Sequence, residues 1–164
     1  MSRAFVNEDN AAAQADQPVE RQVSVQPNYV TPSGLTQLQA KVAELQTLLG
    51  ELNALGELAD KQREADLQRD LRYFNQRLQS AQVVTPASST TKVQIGSRVT
   101  FADEHSHEQT VQLVGEDQAD AAAGLINWSS PLGRALLGAQ LGDEVLWQRP
   151  AGDQLIEIIR IQPA

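Results

Sequence analysis

The sequence predicts an α+β protein: an N-terminal antiparallel helical hairpin, then a small antiparallel β-sheet domain with one short helix. Three observations predict it. Apolar residues recur at spacings of 3 and 4 in the first half of the chain, the repeat of a coiled-coil seam. A Ser-, Thr- and Pro-rich linker follows at 85–91. Beyond it the apolar period falls to 2, the repeat of a strand with one buried face. The 164 residues therefore divide into a flexible tail (1–30), a hairpin (31–82), a linker (83–92) and a sheet domain (93–164).

The tail is rich in Ala, Gln, Asn and Asp, carries Pro18 and Pro27, and has no apolar period, so it cannot bury enough surface to order itself. Val23, Val25, Tyr29 and Val30 are the residues in it able to pack locally or pair as an extended strand. The first helix starts at Thr31, a good N-cap, with Pro32 at the first helical position. Its seam is Leu35, Leu38, Val42, Leu45, Leu49 and Leu52; a second seam runs through Leu67, Leu71, Phe74, Leu78 and Ala81. Gly50 and Gly56 lie between them and place the bend near 53–56. Arms of roughly 20–24 residues reach roughly 30–36 Å. Near the bend the seam fails, because heptad steps back from Leu67 land on Glu64, Asp60 and Glu57. Either the register shifts to Leu58 and Ala65, or the tip is solvated and loosely paired. The mixed charge favours a solvated end.

In the last domain, strands are expected at 96–101, 108–114 and 125–128. Val111 and Leu113 face one side of the second strand, Thr110 and Gln112 the other. Ser130 and Pro131 open a short helix over 132–137, which Gly138 closes. A final hairpin pairs 145–147 with 155–159 around the turn Pro150-Ala151-Gly152-Asp153.

Composition narrows the chemistry. Aromatics are only 4% of residues, so the cores are aliphatic, and the absence of cysteine excludes disulfides, thiolate zinc sites and thiol nucleophiles. Residues 1–16 hold no apolar run suited to a signal peptide, and no stretch approaches membrane-spanning length. A cytoplasmic protein with no membrane partner is expected. Net charge is −8, and residues 82–164 carry five basic side chains against ten acids. That balance argues against direct nucleic-acid binding and points to a basic or apolar partner surface.

His105 and His107, with Asp103 and Glu104 adjacent, share a predicted turn, but no third convergent ligand exists and no metal is expected there. No Ser/His/Asp arrangement or Gly-x-Ser-x-Gly elbow is present, and Gly133 to Gly138 lacks a phosphate-loop pattern. The only source of enzymatic chemistry is a carboxylate group at the hairpin tip, Glu51, Glu57 and Asp60. Such a group holds Mg²⁺ loosely unless another protein completes its shell. No catalytic residue, metal or cofactor is assigned.

Several motifs together carry a resemblance. Thr31, Gly34 and Leu38 form Thr-x-x-Gly-x-x-x-Leu at the hairpin start. Ser-Pro-Leu-Gly-Arg-Ala-Leu-Leu-Gly (Ser130 to Gly138), Gly-Asp-Glu-Val (Gly142 to Val145) and Pro-Ala-Gly-Asp (Pro150 to Asp153) follow in the sheet domain. Arg72-Tyr73-Phe74 and Ala81-Gln82-Val83-Val84 add to the pattern. Over about residues 30–162 the chain resembles the GreA/GreB transcription elongation factors and their Rnk-type relatives. The resemblance implies an FKBP-like C-terminal domain that docks at the rim of the RNA polymerase secondary channel, and a coil that points down it. It places docking on Ser129, Ser130 and Pro131, with Leu132 and Arg134 beside them. In cleavage-competent members an Asp and a Glu three residues apart at the tip hold a catalytic Mg²⁺. Here those positions match Gly50 and Asn53, and the first arm is shorter by roughly two heptads.

The expected function is a monomeric RNA polymerase-binding elongation regulator without intrinsic transcript-cleavage stimulation. Its coil tip consists of Glu51, Asn53, Glu57 and Asp60. Two alternatives stand beside it: a cleavage factor with relocated tip carboxylates, and a repurposed protein-interaction or prolyl-isomerase module. For the isomerase, only Phe101, Trp128 and Trp147 are available to line a pocket, and their expected role is core packing.

Overall fold

The computed structural model describes residues 19–164; the first 18 residues of the expected tail lie outside the described residues. The chain forms two compact units, one centred on Gln39–Gln79 and one made of Val25–Leu38 with Ser80–Ala164.

In the helical unit, α1 (Pro32–Asn53, 22 residues) and α2 (Lys61–Ser80, 20 residues) match the expected arm lengths. Leu45 and Leu52 of α1 and Leu67 of α2 are buried together, with Leu48, Leu49, Leu71 and Phe74 packed around them. The bend departs from the expected register. A one-turn 3₁₀ helix, Gly56–Leu58, turns the chain with Gly56 at φ +59°, a left-handed conformation that costs glycine nothing. This presents Ala59 to the core at 8% exposure and leaves Leu58 at 88%. The second seam also shifts: Tyr73 and Arg77, not Leu71 and Leu78, are the buried residues in the last turns of α2.

In the second unit, β1 (Tyr29–Val30) pairs in parallel with β2 (Gln82–Val83), so the end of the presumed tail is an ordered strand. Asn28 adds a hydrogen bond from Nδ2 to Ser80 Oγ at 3.2 Å. The start of α1, which belongs to this unit, is fixed by a polar ring. Thr31 Oγ1 accepts from Gly34 N at 3.0 Å, an N-cap bond. The same hydroxyl donates to Gln118 Oε1 at 2.6 Å, and Gln118 Nε2 donates to Ser33 Oγ at 2.9 Å. Gly34 belongs to this ring, because a Cβ there would meet Gln118 Oε1 at 2.9 Å. Gln118→Ala takes its acceptor from the buried Thr31 hydroxyl, whereas the exposed Ser33 regains its partner from water. The substitution is expected to lower stability by about 1–2 kcal/mol in urea denaturation.

The main sheet has strands β3 (Arg98–Ala102), β4 (Glu108–Val114), β5 (Leu125–Asn127), β6 (Glu144–Trp147) and β7 (Gln154–Gln162), in the order β5-β4-β3-β7-β6. It is not wholly antiparallel as expected: β5 runs parallel to β4, with Leu113 opposite Ile126. Two 3₁₀ turns, Glu116–Gln118 and Ala121–Ala123, fill the connection and return the chain so that both strands run the same way. One face of the sheet buries Val99, Phe101, Val111, Leu113, Ile156 and Ile158 against Leu132 and Leu136 of α3 (Pro131–Leu136). Among the described residues, no helix is long and apolar enough to cross a membrane.

Candidate functional site

The short helix α3 is set by its own sequence. Ser130 is its N-cap and Pro131 opens its first turn, where a missing N–H costs nothing. Ser130 Oγ accepts from Gly133 N at 3.1 Å and donates to the Asn127 carbonyl at 2.7 Å. Asn127 Oδ1 accepts from both the backbone N and the Oγ of Ser129, each at 3.0 Å. The end of β5 therefore holds the Ser129–Pro131 segment in one conformation. Gly133 lets the helix sit directly on that strand end: a Cβ there would lie 2.2 Å from Asn127 O and 2.5 Å from Trp128 O.

This arrangement brings three of the expected docking residues together. Ser129, Pro131, Arg134 and Ala135 form one wall of an open groove of about 470 Å³, and Leu146 and Gln148 form the other. Leu146 is exposed. Ser130 faces the cap it makes, and Leu132, at 5% exposure, points into the core. The sequence reading missed Asn127, which orients the two serines, and the far wall from β6. The Asn-Trp-Ser-Ser run after a strand is an Asx-turn signal that identifies Asn127 locally. Leu146 and Gln148 join only through tertiary packing.

The coil tip is organised differently. Asp60 Oδ1 accepts from Gln62 N at 3.0 Å and Arg63 N at 3.2 Å, so Asp60 is the N-cap of α2. An acid standing just before a run of helix formers is the local signal for that role. Asn53 and Glu57 border a shallow hollow of about 590 Å³ with Gly56, Ala59, Lys61 and Glu64; Glu51 and Asp60 do not line it. Lys61 Nζ lies 3.3 Å from Glu64 Oε2, so an ammonium already pairs with one of the two carboxylates bordering the hollow. Among the described residues, no three His, Asp or Glu side chains group closely enough to hold a metal ion. The magnesium held at the tip of cleavage-competent members does not fit this donor set.

At the β3–β4 turn, Asp103 Oδ1 accepts from the backbone N of His105 at 2.8 Å and of His107 at 2.9 Å. The bond from His107 and then that from His105 hold the Asp103 carboxyl below its ordinary range. The carboxylate shapes the turn, with Ser106 at φ 63°. Phe101 and Trp147 meet edge to face at 6.2 Å beside the core, and Trp128 meets Tyr29 at a tilt of 59° with centroids 5.3 Å apart. These aromatics are engaged in packing.

Fold and groove together define a helical-hairpin protein with a small mixed-sheet domain whose capped helix borders an open groove. The sequence model described as "Transcription elongation factor, GreA/GreB, C-term" matches residues 88–163. Transcription elongation factor GreB of Neisseria meningitidis serogroup B is 33% identical over 152 residues, covering 82% of this chain and 93% of its own. Transcription elongation factor GreA of Vibrio parahaemolyticus is 37% identical over 135 residues, covering 78% and 86%. A solved GreA/GreB structure from Nitrosomonas europaea superimposes with a TM-score of 0.41 at 26% identity, over 82% of this chain and 98% of that one. The chain belongs to the GreA/GreB family of transcription elongation factors.

Proposed function

We propose that the chain binds RNA polymerase in the cytoplasm as a monomer and regulates elongation from the secondary channel. It docks through the α3 groove without supplying the acids of transcript cleavage. The observation that carries this reading is the groove itself, which gathers Ser129, Pro131 and Arg134 against Leu146 and Gln148. Relatives named transcription elongation factors supply the partner. The acid excess of residues 82–164 disfavours a nucleic-acid surface as the docking target.

The non-cleaving part rests on the tip. Gly50 and Asn53 stand at the positions matched to the family's acid pair, Lys61 sits in the hollow, and Asp60 is used as a cap. A cap and a metal ligand respond differently to substitution. Asp60→Ala is expected to cost about 1 kcal/mol in thermal denaturation, whereas Asp60→Asn keeps an acceptor and is nearly neutral. A ligand role predicts equal damage to RNA shortening from both. Binding is tested by co-precipitation with purified polymerase; no complex at micromolar concentration rejects the proposal.

A further inference from the structure

The helical unit carries a second chemically defined site, away from the tip. Tyr73 and Phe74 on α2 meet edge to face with ring centroids 4.9 Å apart. The guanidinium of Arg21 lies 4.0 Å from the Tyr73 centroid and 5.1 Å from that of Phe74. It also reaches Asp70 Oδ1 at 3.5 Å, an oxygen it shares with Arg69 Nε at 3.3 Å. Glu20, next to it, pairs with Arg72. The face of Tyr73 is thereby covered, and that residue is only 8% exposed although it lies off the heptad seam.

We propose that Tyr73, Phe74 and Asp70 form a guanidinium-binding site on the coil, held in cis by Arg21 and able to take an arginine side chain from a basic protein partner. The chemistry selects this ligand. A planar, weakly hydrated cation stacks on one ring while donating to a carboxylate, and arginine does both at once where lysine offers a point charge. RNA does not fit, since its phosphates would meet Asp70 and Glu20. The cis contact is built for release. Arg21 and Asp70 are 41% and 28% exposed and Arg72 and Glu20 are 51% and 61% exposed, so salt screens both pairs. A chain of net charge −8 favours a basic polypeptide as the competitor. The site rests on the polymerase reading only for which protein supplies that arginine.

The test uses the full chain and a blocked Gly-Arg-Gly peptide, titrated while the tyrosine and phenylalanine ring signals are followed by NMR. Arg21→Gln removes the residue that occupies the site in cis. At equal peptide concentration the variant is expected to show ring-signal shifts at least about twofold larger than the native chain. Asp70→Asn on that background, an isosteric change at a half-buried position whose helix is checked by circular dichroism, is expected to weaken binding at least about fivefold. A blocked Gly-Lys-Gly peptide should bind more weakly than its arginine counterpart. Equal shifts in the native chain and R21Q, or a preference for the lysine peptide, overturns the site. Co-precipitation of the native chain with polymerase is measured in parallel. Its failure rejects the polymerase partner, and the peptide titration still decides the site.

Discussion

Gly133→Ala is expected to lower the stability of the sheet unit by about 3 kcal/mol, the upper part of the range for overpacking. The added methyl would sit 2.2 Å from Asn127 O, 2.5 Å from Trp128 O and 2.6 Å from Trp128 C. All three are backbone atoms, so no side chain can swing aside. Relief requires α3 to lift from β5, which drags Leu132 and Leu136 out of the core and breaks the Ser130 bonds to Gly133 N and Asn127 O. For a unit of this size the loss corresponds to roughly 12–24 °C in Tm, read by circular dichroism. Gly138→Ala is the instructive comparison. Nothing lies within 4 Å of its added Cβ, but φ of +82° imposes backbone strain of about 1–2 kcal/mol. A Gly133→Ala shift smaller than that of Gly138→Ala would contradict the close approach. The variant should also bind polymerase poorly even below its Tm, since one groove wall rides on the displaced helix.

Arg134→Glu tests the groove without touching the core. Arg134 is exposed on α3 and lines the groove beside Pro131, so reversing its charge is expected to leave stability within about 0.5 kcal/mol. Polymerase affinity should fall at least about tenfold, since a like-charge or unpaired group in a desolvated contact costs more than about 1.4 kcal/mol. Arg160→Glu is the matched control: it carries the same charge change, is exposed on β7 and does not line the groove. Equal loss in both variants would assign the effect to net charge and reject the groove as the docking surface.

Features written in local chemistry were legible in the sequence. The seam positions Leu38, Val42, Leu45 and Leu52 are buried where a 3–4 spacing places them. The Ser130 cap, Pro131 at the first turn and the alternation around Val111 and Leu113 also depend only on near neighbours. What depended on distant contacts was not legible. Tyr73 is covered by Arg21, 52 positions earlier, and a buried Arg77 contradicts the residue's usual place at the surface. The parallel β5 edge and the contribution of Leu146 and Gln148 to the groove follow from how strands and helix pack, which period 2 does not encode. Asp60 is an intermediate case. Its acidity drew attention as chemistry, while its position just before Lys61–Ser80 already marked it as a cap.

The central claim, polymerase binding without transcript cleavage, is tested most directly in stalled, backtracked elongation complexes supplied with this protein and an intact GreA or GreB factor. The chain alone should leave the RNA full length, and in excess it should suppress the cleavage stimulated by the intact factor, in a manner lost with Arg134→Glu. RNA shortening by the chain alone, abolished by replacing Glu51, Glu57 and Asp60, would contradict the account; so would unimpeded cleavage by the intact factor at saturating concentrations of this protein.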